Sequence, residues 1–86
     1  MPEQTLARSR LRFGFAEALA ACERGLAVDP LNERLARLAM EAEAELGLRT
    51  AITERYEDLR CRLQERLGLE PERETRALYR TLLAQN

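Results

Sequence analysis

Cys22 and Cys61 are the strongest nucleophiles among these 86 residues, and the chain has no histidine to deprotonate a thiol or to complete a zinc site. The two do not form a CxxC pair. Each falls inside a helical pattern, where cysteine usually acts as a small buried hydrophobe, and nothing beside either would activate it. Acid and base chemistry needs a nucleophile with a base, or carboxylates fixed in a pocket, and no pocket-forming loop exists to hold them. The sequence therefore assigns no catalytic residue, no metal ligand and no cofactor.

Two charged groups remain as candidates for binding. Glu41, Glu43 and Glu45 crowd the last turns of a helix, where the macrodipole disfavours negative charge, and Glu41 and Glu45 repel each other at i,i+4. Arg49 or Arg55 across a hairpin, or water, would relieve them; a basic partner surface is the other reading. Arg55, Arg62 and Arg66 lie close to one side of the following helix and offer a contact for an acidic partner or RNA. Asp58 supports Arg62 at i,i+4, and a solvated face is the preferred account of this stripe. The aromatics Phe13, Phe15, Tyr56 and Tyr79 stand at helical spacings, which reads as packing rather than a ligand groove.

The whole-chain totals narrow the partners. All 14 basic residues are arginine, matching the arginine and alanine bias of GC-rich coding, and 15 acidic residues leave a net charge of −1. Interspersed acids cancel the field that a phosphate backbone would need, so direct DNA binding is not expected. No apolar run approaches the ~20 residues that span a bilayer, and residues 1–12 lack a signal-peptide core. A reduced, cytoplasmic, membrane-free setting fits this composition.

These residues must be positioned by helices. Val, Ile and Thr are scarce, no stretch alternates with period two, and Ala, Leu, Glu and Arg dominate, which predicts an all-α fold. Residues 1–86 read as a single unit, with 1–12 a partial helix or a flexible lead-in. Phe15, Ala18, Leu19, Cys22 and Leu26 form one stripe of a first helix. Asp29 and Pro30 then read as N-cap and first-turn residue of a second helix, whose apolar face is Leu31, Leu35, Leu38, Ala39, Ala42 and Leu46. Gly47 ends it. A third helix carries Ile52, Tyr56, Leu59, Leu63 and Leu67 and ends at Gly68, where Leu69 is expected to seal the cap. Pro71 blocks continuation, and a fourth helix with Leu78, Tyr79, Leu82 and Leu83 turns back to cover the stack. Short linkers make consecutive helices antiparallel neighbours.

Ala18, Cys22, Gly25 and Pro30 keep the spacing of the tetratricopeptide consensus, and moving on by its period of about 34 residues lands on Ile52, Tyr56 and Leu59. Gly47 then falls at the inter-helix turn. Cys22 replaces the usual aromatic, Ile52 the usual alanine, and Gln64 stands where a second proline would. The expected architecture is thus a tetratricopeptide-like stack of antiparallel helical hairpins with a C-terminal capping helix, sharing a core of Ala18, Cys22, Leu38, Tyr56 and Leu59.

From Gly14 to Ala84 the chain resembles the bacterial transcriptional activator domain found in activators of the Streptomyces antibiotic regulatory protein type. The resemblance rests on the aspartate-proline turn, Leu38-Ala39-Met40, the glycine turn, Tyr56 and, most recognisably, Leu67-Gly68-Leu69-Glu70-Pro71. In that family a winged-helix DNA-binding domain precedes a longer helical array. The winged helix has no counterpart here, and only the last few helices of the array are matched. The resemblance implies a non-catalytic scaffold that dimerises and contacts RNA polymerase or neighbouring regulatory domains.

A stand-alone tetratricopeptide-like adaptor, holding a partner's helix or peptide in its groove, is the alternative. A winged helix encoded directly upstream would favour the activator module, and a true start at Met1 would favour the adaptor. Leu6, Leu11, Phe13 and Phe15 supply an apolar face that missing upstream helices would cover, so a symmetric homodimer is expected through them.

Overall fold

The computed structural model describes the backbone of residues 2–85 and the side chains of residues 11–85. The chain is all-α: α1 (Pro2–Val28), α2 (Glu33–Glu45), α3 (Arg49–Leu67) and α4 (Arg73–Ala84). Helix formation continues through the segment before Leu11, so α1 has 27 residues against 13 in α2. At ~1.5 Å per residue, α1 is roughly twice the length of the helix it packs on.

The link from α1 to α2 is a tight turn rather than a proline-led helix start. Asp29 and Pro30 lie in the turn, the Asn32 N–H donates to the Asp29 carbonyl at 3.1 Å, and Asn32 is the N-cap. Its side-chain oxygen accepts from the Leu35 N–H at 3.1 Å, so Asn32 takes the N-cap role expected of Asp29. Asparagine caps as well as aspartate, and the preceding proline is better placed in the turn. Both Leu-Gly-Leu stops behave as expected in their backbones. Gly47 (φ 73°) and Gly68 (φ 65°) are left-handed, and the Leu48 and Leu69 N–H groups reach back to the Glu43 and Leu63 carbonyls at 2.8 and 3.3 Å. The Leu69 side chain nevertheless stays exposed and seals nothing.

Residue pairings give the directions of the helices. Along α2 and α3, Ala36 packs with Leu59 and Leu63, Met40 with Ile52 and Tyr56, and Glu43 meets Arg55, a descending order that makes the pair antiparallel. Along α2 and α4 the order ascends: Glu33 and Arg37 meet Thr75, and Met40 packs with Leu78, Tyr79, Leu82 and Leu83. Helix α4 therefore runs parallel to α2 and fills the side of α2 away from α1, an order compatible with stacked helical repeats.

The core is narrower than the sequence suggests. Cys22, Ala36, Ala39, Met40, Ala42, Ile52, Tyr56, Leu59 and Leu63 are buried, whereas Ala18, Leu38 and Leu67, expected inside, are exposed. Small alanines on α2 let its neighbours approach closely, and the buried face therefore centres on Ala36, Met40 and Glu43 instead of the leucines. Gly25 serves the same purpose on α1, where an added Cβ would lie 2.6 Å from Leu35 Cδ1. Tyr56 and Tyr79 stack with centroids 3.9 Å apart and planes 3° from parallel, joining α3 to α4.

Candidate protein-interaction surface

Glu43 is 2% exposed, which a carboxylate tolerates only with full compensation. Arg55 supplies it in bidentate form: Nε donates to Oε1 and Nη2 to Oε2, both at 2.9 Å, and Glu23 of α1 adds a third charge at 3.8 Å. These bonds push the Arg55 guanidinium further above its ordinary range. Burial raises the neighbouring Cys22 thiol despite the opposing pull of Arg55, so that thiol stays protonated and unreactive. Of the two arginines proposed to relieve the acidic cluster, Arg55 does so for Glu43.

Arg49 has a different task. It donates to the Leu83 carbonyl and, at 3.0 Å, to the Gln85 carbonyl, satisfying orphan acceptors at the end of α4. The start of α4 is held from α2. Glu33 Oε1 accepts from the Thr75 hydroxyl at 2.8 Å and from the Glu72 N–H at 2.9 Å, while Arg37 donates to Thr75 Oγ1 at 2.9 Å and to Glu72 Oε1 at 3.2 Å. Both ends of α4 are thus clamped by side chains more than 30 residues earlier. Sequence reasoning missed this clamp because i,i+3 and i,i+4 rules see only neighbours on one helix; the one visible trace was Thr75 on the apolar side of α4.

The proposed arginine stripe does not survive as one surface. Arg55 turns inward to Glu43, Arg62 is engaged by Asp58 at 2.8 Å, and Arg66 sits exposed in the last turn of α3, where it complements the dipole. The exposed Cys61 lies beside Arg60, which is held by Glu57.

Glu41 and Glu45 remain exposed and form no ion pair among the described residues. They edge an open groove of about 680 Å³ between the end of α2, the start of α3 and α4, with Ala44, Ile52, Leu78 and Leu82 as its apolar lining. A second surface lies on α1. Leu11 is 61% exposed and Phe13 65%, while Phe15 is half-buried; the Leu6 side chain lies outside the described residues. Leu11 continues the stripe of Phe15, Leu19, Cys22 and Leu26, but α2 ends before reaching it. Phe13 points to another side of the helix and is not core packing. No group of His, Cys, Asp or Glu suited to a metal exists among the described residues, and no helix is long and apolar enough to cross a membrane.

Residues 3–83 match the family described as bacterial transcriptional activator domain. No curated protein and no solved structure shows a significant match to the chain.

Proposed function

The chain belongs to the bacterial transcriptional activator domain family, a family of transcription regulators, and from that membership we propose that it acts as a non-catalytic, cytoplasmic protein-interaction module. Its contacts are with a second copy of itself and with RNA polymerase or adjoining regulatory domains. The observation that carries this reading is the overhang of α1, where Leu11 and Phe13 expose apolar surface that no other helix of the fold covers. Its polar groups support protein rather than DNA contacts. Arg55, Arg62, Arg37 and Arg60 are each engaged by a carboxylate, and across the whole chain 15 acidic residues outnumber 14 arginines, which weakens the field that phosphates would meet.

Two measurements test the proposal together. A tagged copy should retain an untagged copy of the same chain through purification, and labelled duplex DNA should show no mobility shift at micromolar protein and physiological salt. Failure of retention would refute self-association. A shift would transfer Arg66 and its neighbours from a solvated face to a nucleic-acid contact.

A further inference from the structure

Helix α1 has a second side, turned away from the stripe of Phe15, Leu19, Cys22 and Leu26. Phe13, Glu17, Ala20, Ala21, Arg24 and Val28 succeed one another at helical steps of three and four residues, which places them together on that outer side. All six are exposed, Phe13 at 65% and Val28 at 87%.

The two charges on this face have no counterpart within the chain. Glu17 and Arg24 enter no ion pair among the described residues. At i±3 and i±4, Glu17 meets only Phe13, Gly14, Ala20 and Ala21, and Arg24 meets only Ala20, Ala21, Ala27 and Val28. The carboxylates one turn away that engage Arg60 and Arg62 on α3 are therefore missing here.

Reversed, the face is complementary to itself. A two-fold axis crossing α1 between Ala20 and Ala21 sets Glu17 opposite the second copy's Arg24 and Phe13 opposite its Val28. The alanines meet at the axis, where small side chains let two helices approach closely. Parallel pairing of the same faces would set Glu17 on Glu17 and Arg24 on Arg24, which like-charge repulsion disfavours.

We propose that two copies of this chain dimerise through the outer face of α1, antiparallel, with two reciprocal Glu17 to Arg24 ion pairs bracketing Ala20 and Ala21 and a Phe13 to Val28 contact at each end. This deepens the self-association reading and rests on it: the face begins at Phe13 and continues along the part of α1 that packs on α2. The occupant is a second copy because the same residues in reverse order supply an opposite charge at each charged position and an apolar residue at each apolar one.

The test is sedimentation equilibrium of the native chain, Glu17→Arg, Arg24→Glu and the swap Glu17→Arg/Arg24→Glu. Each single variant puts like charges at both reciprocal positions and should weaken the dimer about tenfold or more. The swap puts opposite charges back at both and should return dimerisation to near the native strength, which a folding defect in the single variants would not allow. A native chain of single mass at high concentration overturns both self-association and this inference. A native dimer that both single variants match leaves self-association standing and overturns the α1 contact. Weakened single variants that the swap does not restore overturn the pairing of Glu17 with Arg24.

Discussion

Thr75 is fully buried, and its hydroxyl donates to Glu33 Oε1 at 2.8 Å while accepting from Arg37 Nη1 at 2.9 Å, so both polar capacities of one threonine are spent on α2. The position of α4 depends on this bond set. Thr75→Val keeps the shape but removes both bonds, and it should cost about 1–3 kcal/mol. Urea unfolding gives the loss, and amide exchange should show it concentrated in α4; uniform exchange across the chain would mean that the clamp does not hold this helix separately.

The stack of Tyr56 on Tyr79 is the apolar counterpart of that clamp. Tyr56→Ala should cost roughly 3–5 kcal/mol, enough to unfold so small a fold, because the ring is buried beneath Tyr79 and against Met40 and Ile52. Tyr79→Ala should cost less, since that ring is only half-buried. A melting temperature near native for Tyr56→Ala would contradict the central position of this ring.

Arg55 and Glu43 make a different demand. Arg55→Ala leaves a carboxylate buried without its partner and should destabilise by about 3–5 kcal/mol, whereas Arg55→Met with Glu43→Met should lose far less. Chemical denaturation of the single and double variants separates the two cases. Equal losses would indicate that the pair contributes by packing alone.

Alkaline pH should weaken the fold in a definite window. Burial raises Cys22 above its ordinary 9.0 and Tyr56 above its ordinary 10.0. In the unfolded chain these groups ionise at their ordinary values, so above pH 9.0 the folded state holds more protons and stability falls as pH rises. Well below pH 9.0, where both groups are protonated in either state, neither contributes a slope. Cys22→Ala should abolish the first part of the decline; an unchanged decline in that variant would place its origin elsewhere.

The four helices were legible because Gly47, Gly68 and Pro71 punctuate them and each repeats apolar residues at helical spacing. Which leucines go inside was not. Leu38 and Leu67 satisfy the periodicity yet are exposed, since α2 presents its alanine and Met40 side to both neighbours and α3 outruns the helices that cover it. The burial of Glu43 was hidden for a related reason. A glutamate between two exposed ones looks like solvent, and only the register of α2 against α3 puts Arg55 opposite it. The acidic edge of the groove, by contrast, was readable from Glu41 and Glu45, although the groove itself depends on where α4 docks.

The central claim is that this chain works through contact with a second copy, made by the free half of α1. Sedimentation equilibrium of the native chain beside Leu11→Glu/Phe13→Glu tests it most directly. Both replaced residues are exposed, so the variant should fold and melt as the native chain does. The native protein should sediment at twice the 9.9 kDa chain mass and the variant at a single chain mass. A native protein that stays at 9.9 kDa at high concentration, or a variant that dimerises as well as the native chain, would contradict it.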